Sequence, residues 1–349
     1  MEKNNKTLNV PNLRFPEFSG EWEYHELQSI APKISSGKDK PNNEGTVVLY
    51  GSTGIMGHTT TESYKSEIVI VARVGANAGQ LQLVDIPCGV TDNALVVDAK
   101  SWNKYVFYYL QHFNLNKLVF GSGQPLITGG MLKKIKIWAG NNVERNKIVH
   151  LLSLMEERID TQKKIIEKYE SLIRGLCEKL TRQGDANKSI NECLECHSST
   201  LQESSVMDDG KYPVYGATGI CGYTETPNST GDGILIIKDG ASVGVTSYAE
   251  GCYSAIGTLN RLIAKQNIHL RYVYYCLKVM NFSPYKTGLA IPHIYFKDYG
   301  RHKIWCPSYE QQSHIAKILT QIDDKIQVEK SLLERLDSQK RYMLNQLFI

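Results

Sequence analysis

A chain of 349 residues has room for two ordinary domains, each with its own core. With 42% hydrophobic and 22% charged residues, the composition excludes a disordered polymer. Lys and Arg total 40 against 36 Asp and Glu; the resulting +4 neither demands nor excludes nucleic acid, because clustering of basic groups decides that.

In chain order, the opening stretch MEKNNKTLNVPNLRF lacks the apolar run of a signal peptide. The later runs IVIVARVG and GILIIKDG are too short to cross a bilayer, so a cytoplasmic protein with no membrane partner is expected. A turn-rich region follows, with β-like runs TVVLYG, EIVIVARVG and NALVV punctuated by Gly and Asn. It contains the phrase YGSTGIMGH, Tyr50 to His58. An aromatic amphipathic helix, KYVFYYLQHF, comes next; its tyrosines read first as packing, with a base-stacking platform as the alternative. A short strand ending at Trp138 then leads into one long helix.

Beyond that helix, CLECH (Cys193 to His197) has the C-x-x-C-H spacing of haem attachment. Covalent haem goes with export, and no second ligand pair supplies the four ligands zinc wants. Ordinary reduced thiols are expected. The earlier order then recurs: YPVYG, GILIIKDG and NRLIA, the helix RYVYYCLKVM, a strand ending at Trp305, and a second long helix.

The recurrence is an internal repeat. YGSTGIMGH falls on YGATGICGY (Tyr215 to Tyr223), and RVGANAG (Arg73 to Gly79) on KDGASVG (Lys238 to Gly244), both 165 residues later. YVFYYL then falls on YVYYCL, Pro125 on Pro292 and Trp138 on Trp305, now 167 residues apart. One unit has been duplicated and has diverged. The glycines in both phrases are read as backbone geometry, turns with positive φ and close chain approach.

In the first long helix, Ile148, Leu152, Met155, Ile159, Gln162, Ile166, Tyr169, Ile173, Leu176 and Leu180 step by four and three. The second repeats the pattern at Ile315, Leu319, Ile322, Ile326, Glu329, Leu333, Leu336, Lys340, Met343 and Leu347. Such an a/d seam must be covered by another helix. Gln162 and Glu329 interrupt it at equivalent places, suggesting a register-setting position or a partner contact. The two helices match in length and occur one to one, so they are expected to pair with each other. The second globular unit joins the end of one helix to the start of the next, and compact domains keep their termini close, so antiparallel pairing is expected. The expected class is α+β, two mixed α/β domains separated by two antiparallel helices in a pseudo-twofold dumbbell. Boundaries are expected at 1–142 and 186–307 for the domains, and at 143–185 and 308–349 for the spacer helices. From Ile148 to Leu180 the helix should run about 50 Å, on the order of 15 base pairs of B-DNA.

At this point the chain resembles the specificity subunit of a bacterial Type I restriction–modification system. The resemblance rests on VPNLRFPEFSGEWEYHEL (Val10 to Leu27), the paired glycine phrases, CPSYEQQSHIAKIL (Cys306 to Leu319), and the helix ends RGLCEKL and RYMLNQLF. It covers nearly the whole chain. One departure is that the second unit has the Pro-x-x-Glu-Gln pattern at Pro307, Glu310 and Gln311, whereas the first has Gly140, Val143 and Glu144. That departure bears on how the first helix begins. The resemblance implies that each domain is a target-recognition domain for one half of a split, asymmetric double-stranded DNA site, with the helices fixing the gap. It also implies docking of two methyltransferase subunits carrying S-adenosylmethionine, and of ATP- and Mg-dependent restriction/translocase subunits, with no cofactor on this chain.

No catalytic or metal-ligating set emerges from the sequence. SSGKDK (Ser35 to Lys40) is not a P-loop, and the glycine phrases lack both G-x-G-x-x-G spacing and a surrounding βαβ pattern. A DNA-specificity role without catalysis is therefore expected. For DNA contacts the first candidates are Arg73 and Asn77 in one unit and Lys238 and Ser242 in the other. Arg can contact guanine, and Asn adenine, in a bidentate way. The alternative is that Arg73 and Lys238 contact phosphate or pair with a carboxylate. Lys38, Lys40, His58, Gln124, Tyr223, Lys286 and His293 are further loop candidates. Two rival functions stay open: a self-sufficient DNA methyltransferase, and a scaffold holding two modules that do not bind DNA.

Overall fold

β-branched runs broken by glycine turns build sheets, and the two heptad-patterned segments build long helices. In the computed structural model, which describes residues 9–119, 125–288 and 291–349, the chain divides into two units. The first comprises Met1–Gln162 with Leu332–Ile349, the second Lys163–Ser331.

In unit one, β1 (Glu23–Glu26) leads to α1 (Leu27–Ile30), β2 (Lys33–Ser36), β3 (Val47–Gly51), β4 (Gly54–Thr59), β5 (Ile68–Ala72), β6 (Leu81–Val84), β7 (Cys88–Val90) and β8 (Ala94–Asp98). Then come α2 (Asn103–Phe113), α3 (Gly129–Lys133), β9 (Lys136–Ala139) and α4 (Asn142–Thr181). A four-stranded sheet has the order β2-β8-β5-β6, a three-stranded sheet β4-β3-β7, and β1 pairs with β9. Every residue of β5 and β8 is buried, and strand periodicity divides them between two cores. Val69, Val71, Leu95 and Val97 face α2. Ile68, Ile70, Ala94 and Val96 face a second cluster with Cys88 and Val90. Burial on both faces is why these strands read as unbroken apolar runs.

Unit two repeats the plan. β10 (Lys188–Ser189), α5 (Ile190–Cys193), β11 (Leu194–Ser198), β12 (Tyr212–Gly216), β13 (Gly219–Thr224), β14 (Ser229–Thr230), β15 (Gly233–Ile237), β16 (Thr246–Ala249), β17 (Cys252–Ala255) and β18 (Leu259–Ala264) precede α6 (Leu270–Lys278). α7 (Phe296–Tyr299), β19 (Lys303–Ile304) and α8 (Tyr309–Leu347) follow. The sheets have the orders β11-β18-β15-β16 and β13-β12-β17-β14. The aromatic helices are core: Tyr105, Tyr108 and Tyr109 are buried, as are Tyr272, Tyr274 and Tyr275. The hydroxyl of Tyr105 donates to the carbonyl of Trp138 at 2.7 Å, and that of Tyr272 to the carbonyl of Trp305 at 2.6 Å.

α4 and α8 pack together, and in each unit the contacts run antiparallel. In unit one, Ile148 and Leu152 share a core with Leu344 and Leu347, while Glu156 meets Lys340 at 2.6 Å. In unit two, Ile173 and Cys177 share a core with Ile315, Leu319 and Ile326, and Glu170 meets Lys330 at 2.6 Å. Of the seam, Ile148, Leu152, Ile159, Ile166, Ile315, Leu319 and Ile326 are buried; Met155, Ile322 and Leu333 are half-buried. Gln162 and Glu329 are buried, which favours register-setting over contact with a partner.

The seam departs from the heptad in the last turns of both helices. Cys177 and Thr181 are buried where Leu176 and Leu180 were expected, and Leu344 is buried where Met343 was expected. Each step of four on a 3.6-residue helix overshoots a full turn by about 40°, so successive fours swing the buried stripe off the heptad line toward another neighbour. Here the neighbour is the unit's own aromatic helix: Phe348 sits 5.4 Å from Tyr105 and 5.5 Å from Tyr109, ring to ring.

The two long helices begin differently. Asn141 caps α4, its Oδ1 accepting the Glu144 amide at 2.9 Å. Glu144 is buried and accepts from Arg14 Nε and Nη2 at 2.7 and 2.9 Å. A Cβ on Gly140 would collide with Glu144 and Trp22. Unit two has Ser308 at the cap and Gln312 at its second turn, donating to the Pro307 carbonyl at 2.8 Å. The departure at Gly140, Val143 and Glu144 is thus a different anchor for the helix start. Among the described residues no helix is long and apolar enough to cross a membrane.

Candidate nucleic-acid interface

The duplicated glycine phrases are β-hairpins. β3 with β4, and β12 with β13, pair antiparallel with a register shift at Leu49/Tyr50 and Val214/Tyr215. Gly54 and Gly219 turn at φ 115° and 107°, values only glycine adopts readily.

The second repeated turn follows β5 and β15. Gly75 and Gly79 have φ of 79° and 92°, and Gly240 and Gly244 of 100° and 92°. The Arg73 amide donates to Asn93 O at 3.0 Å and the Ile127 amide to Arg73 O at 2.9 Å; Gly75 donates to Pro125 O at 3.0 Å. In unit two Lys238 donates to Thr258 O at 3.0 Å, Ile294 to Lys238 O at 3.0 Å, and Gly240 to Pro292 O at 2.9 Å. Both turns are therefore clamped between a strand end and a later segment that sequence order places far away.

The side chains on these matching frames differ. Arg73 is half-buried, and its Nε has no hydrogen-bond partner among the described residues. Asn77 Oδ1 accepts from Gln80 Nε2 at 3.0 Å, which occupies one of that oxygen's two lone pairs. Lys238 is half-buried and Ser242 exposed. The Cys196 thiol is pushed up to about 11 by burial, with the Lys238 charge acting the other way.

The other candidates distribute unevenly. Lys38 and Lys40 are exposed on either side of Asp39, whose carboxylate accepts from the Val90 amide at 2.8 Å and from Ser63 at 2.7 Å. His58 is exposed, its carbonyl accepting the Asn42 amide at 2.8 Å. His58 lies on β4 at one edge of the three-stranded sheet, and Lys38 and Lys40 flank the segment bonded to β7 at the other. Tyr223 is separate from its turn, on β13 and paired through its backbone with Met207. Lys286 and His293 do join the Lys238 turn: Thr287 and His293 exchange amide bonds of 2.9 and 2.8 Å, and His293 Nδ1 is 3.5 Å from Asp239. Gln124 lies outside the described residues.

Sequence reasoning missed the junction residues. Asn93 O accepts both the Arg73 amide and the Ser52 hydroxyl, the latter at 2.8 Å. Gln82 Nε2, on β6, donates to Gly51 O at 3.0 Å, which ties the hairpin to the strand after the Arg73 turn. In unit two Thr258 O accepts the Lys238 amide, and Asp239 bridges His293. The repeat alignment could have found Asn93 and Thr258, since they are equivalent, but no local pattern marks them. Among the described residues no cluster of three or more His, Cys, Asp or Glu could hold a metal.

One module built twice, with the same turn framework and different side chains on it, defines a duplicated recognition module. The chain belongs to the family of the Type I restriction modification DNA specificity domain, whose profile matches it twice, over residues 19–171 and 187–338. A chain named as a type I specificity subunit in Mycoplasma genitalium is 26% identical over 316 residues, covering 82% of each. The Escherichia coli EcoprrI specificity subunit is 29% identical over 112 residues, 32% of this chain and 28% of that one. The crystal structure of a Type I restriction–modification S subunit from M. genitalium superposes with a TM-score of 0.71 at 21% identity, covering 97% of this chain and 99% of that one. At that identity the likeness is one of fold. It includes the two long helices and the two α+β units, as the sequence had led us to expect.

Proposed function

We infer that each unit reads one half of an asymmetric split DNA sequence, and that the chain seats methyltransferase subunits and ATP-driven restriction subunits on that sequence. The supporting observation is the pair of equivalent turns, clamped by equivalent backbone bonds to Pro125 and Pro292, that carry Arg73 and Asn77 in one unit and Lys238 and Ser242 in the other. A shared frame holds the backbone at the same approach to a duplex, and unlike side chains then select unlike bases. The half-buried Arg73, with its unpartnered Nε, has donors to give a guanine edge or a phosphate.

On this reading the chain recognises DNA and leaves methyl transfer, with its S-adenosylmethionine, to its partners. The length of α4 and α8 sets the number of base pairs between half-sites. Binding of the full-length protein to duplex DNA across a salt series, together with methyl-transfer assays with and without methyltransferase subunits, tests this. Affinity should fall steeply with salt because phosphate contacts release counterions, and methylation should need the partner. Salt-insensitive binding, or methylation by the chain alone, would overturn the proposal.

A further inference from the structure

Three mutually adjacent positions of unit one recur in unit two at a constant separation of 165 residues, and all three have changed chemistry. The shared ladders make the equivalence secure. Tyr50 pairs with Val90 and Tyr215 with Ala255, so Cys88 on β7 corresponds to Tyr253 on β17. Tyr64 bridges Cys88 as Ser229 pairs with Tyr253. Val96 pairs with Ile70 as Arg261 pairs with Leu235.

In unit one the Tyr64 ring packs on an apolar cluster that includes Cys88 and Val96. In unit two a serine replaces that tyrosine and an arginine replaces that valine. A cavity of about 460 Å³ opens there, walled by His197, Ser198, Ser199, Asn228, Ser229 and Arg261 among others.

The guanidinium is held in place. Arg261 Nε donates to the Tyr253 hydroxyl at 2.9 Å and Nη2 to the Thr230 carbonyl. No carboxylate lies within 4.0 Å of it among the described residues. Asp232 instead directs its carboxylate to the Tyr248 hydroxyl at 2.8 Å, and Glu195 lies 3.8 Å from His197 Nε2. Ser199 Oγ accepts from the Leu201 amide at 3.1 Å and from Asn228 Nδ2 at 3.2 Å, which leaves its own O–H to donate elsewhere. A fixed guanidinium without a counter-charge, set beside a hydroxyl donor, suits a tetrahedral oxyanion.

The cavity adjoins the Lys238 turn. Leu201, in its wall, accepts the Gly257 amide at 2.8 Å, and the next residue, Thr258, accepts the Lys238 amide at 3.0 Å. We propose that this cavity, lined in unit two by Ser229 and Arg261 where unit one has Tyr64 and Val96, seats a backbone phosphate of the duplex beside the second half-site, with Arg261 as its anchor. The proposal rests on the DNA-reading function inferred above. It adds that the units differ in how they grip the backbone as well as in the bases they select.

The test is fluorescence anisotropy of the full-length protein on its duplex across a salt series. It compares wild type with Arg261→Gln and with Ser229→Tyr, which restores the aromatic ring of unit one while keeping Arg261. Thermal melting confirms that each variant is folded. Both variants should flatten the slope of log K against log salt by about 0.9, the loss of one phosphate contact, and should lose affinity by the same factor on matched and mismatched duplexes. Wild-type slopes in both variants, with wild type itself binding DNA, would overturn the phosphate seat and leave the DNA-reading function standing. Failure of wild type to bind DNA in a salt-dependent way would overturn both. Inorganic phosphate and a mononucleotide serve as competitors: saturation of the cavity by either, with the DNA slope untouched by it, would make this a free-anion site and sink the proposal.

Discussion

The amide of Gly240 donates to the carbonyl of Pro292 at 2.9 Å, and Gly75 makes the equivalent bond to Pro125 at 3.0 Å. This clamp fixes where Lys238 and Arg73 stand, and it depends on glycines with positive φ. A Cβ on Gly240 would meet nothing within 4 Å, whereas a Cβ on Gly244 would approach Phe282 Cβ to 2.8 Å. Gly240→Ala therefore carries only backbone strain, about 1–2 kcal/mol. Gly244→Ala adds overpacking of about 1–3 kcal/mol. Thermal melts should show the second variant clearly less stable than the first; equal melting temperatures would contradict this account of the turn.

Lys340 occupies a seam position yet is charged. Its Nζ lies 2.6 Å from Glu156 with side-chain exposures of 18% and 29%, while the Lys330–Glu170 pair is 46% and 44% exposed. Glu156 also accepts the Tyr108 hydroxyl at 2.8 Å. Lys340→Ala strands a half-buried carboxylate and should cost about 1–2 kcal/mol, less than for a fully buried pair. Lys330→Ala should cost less than about 1 kcal/mol. Chemical denaturation of the two variants would show the difference, and its absence would place the stabilising contact elsewhere.

Cys306, just before α8, has its thiol pushed below the ordinary range by the neighbouring Cys193 thiol, while Cys193 is driven upward by the same pairing. Alkylation of Cys306 in the native protein should be half-maximal at a lower pH than for an ordinary thiol, with thiolate gained as pH rises. Cys193→Ala removes that neighbour and should move the inflection upward. Mass spectrometry after labelling over a pH series checks this; an inflection unmoved by the substitution would rule out the pairing as cause.

Adding one heptad to α4 and one to α8 at matched positions extends the pair by about 10.5 Å, on the order of three base pairs. Methylome sequencing of a host carrying the lengthened protein with its methyltransferase should show half-sites moved apart by that amount. An unchanged gap would refute the ruler role of the helices.

Much of this was legible in the sequence because it is periodic. The steps of Ile148, Leu152 and Ile159 and of Ile315, Leu319 and Ile326 announce two paired helices, and the repeated glycine phrases announce the duplication. The terminal shift to Cys177 and Leu344 was not legible, since it depends on the cores these residues share with the aromatic helices, which a heptad pattern does not encode. The same limit hid the Arg14–Glu144 bond, made across 130 residues of chain, and the meeting of Ser52 with Asn93. The Arg261 cavity had one visible sign, a charged residue at the place that Val96 holds in the apolar run of unit one. Its meaning required the ladder that puts Ser229 opposite Tyr253.

The most direct measurement is methylome sequencing of hosts expressing two double variants, Arg73→Ala with Asn77→Ala and Lys238→Ala with Ser242→Ala, each beside its methyltransferase. Bidentate contacts carry about 1–3 kcal/mol of discrimination against wrong bases. The first variant should therefore relax one half of the methylated sequence and the second only the other half. Relaxation of both halves by either variant would contradict the assignment of one reader to each unit.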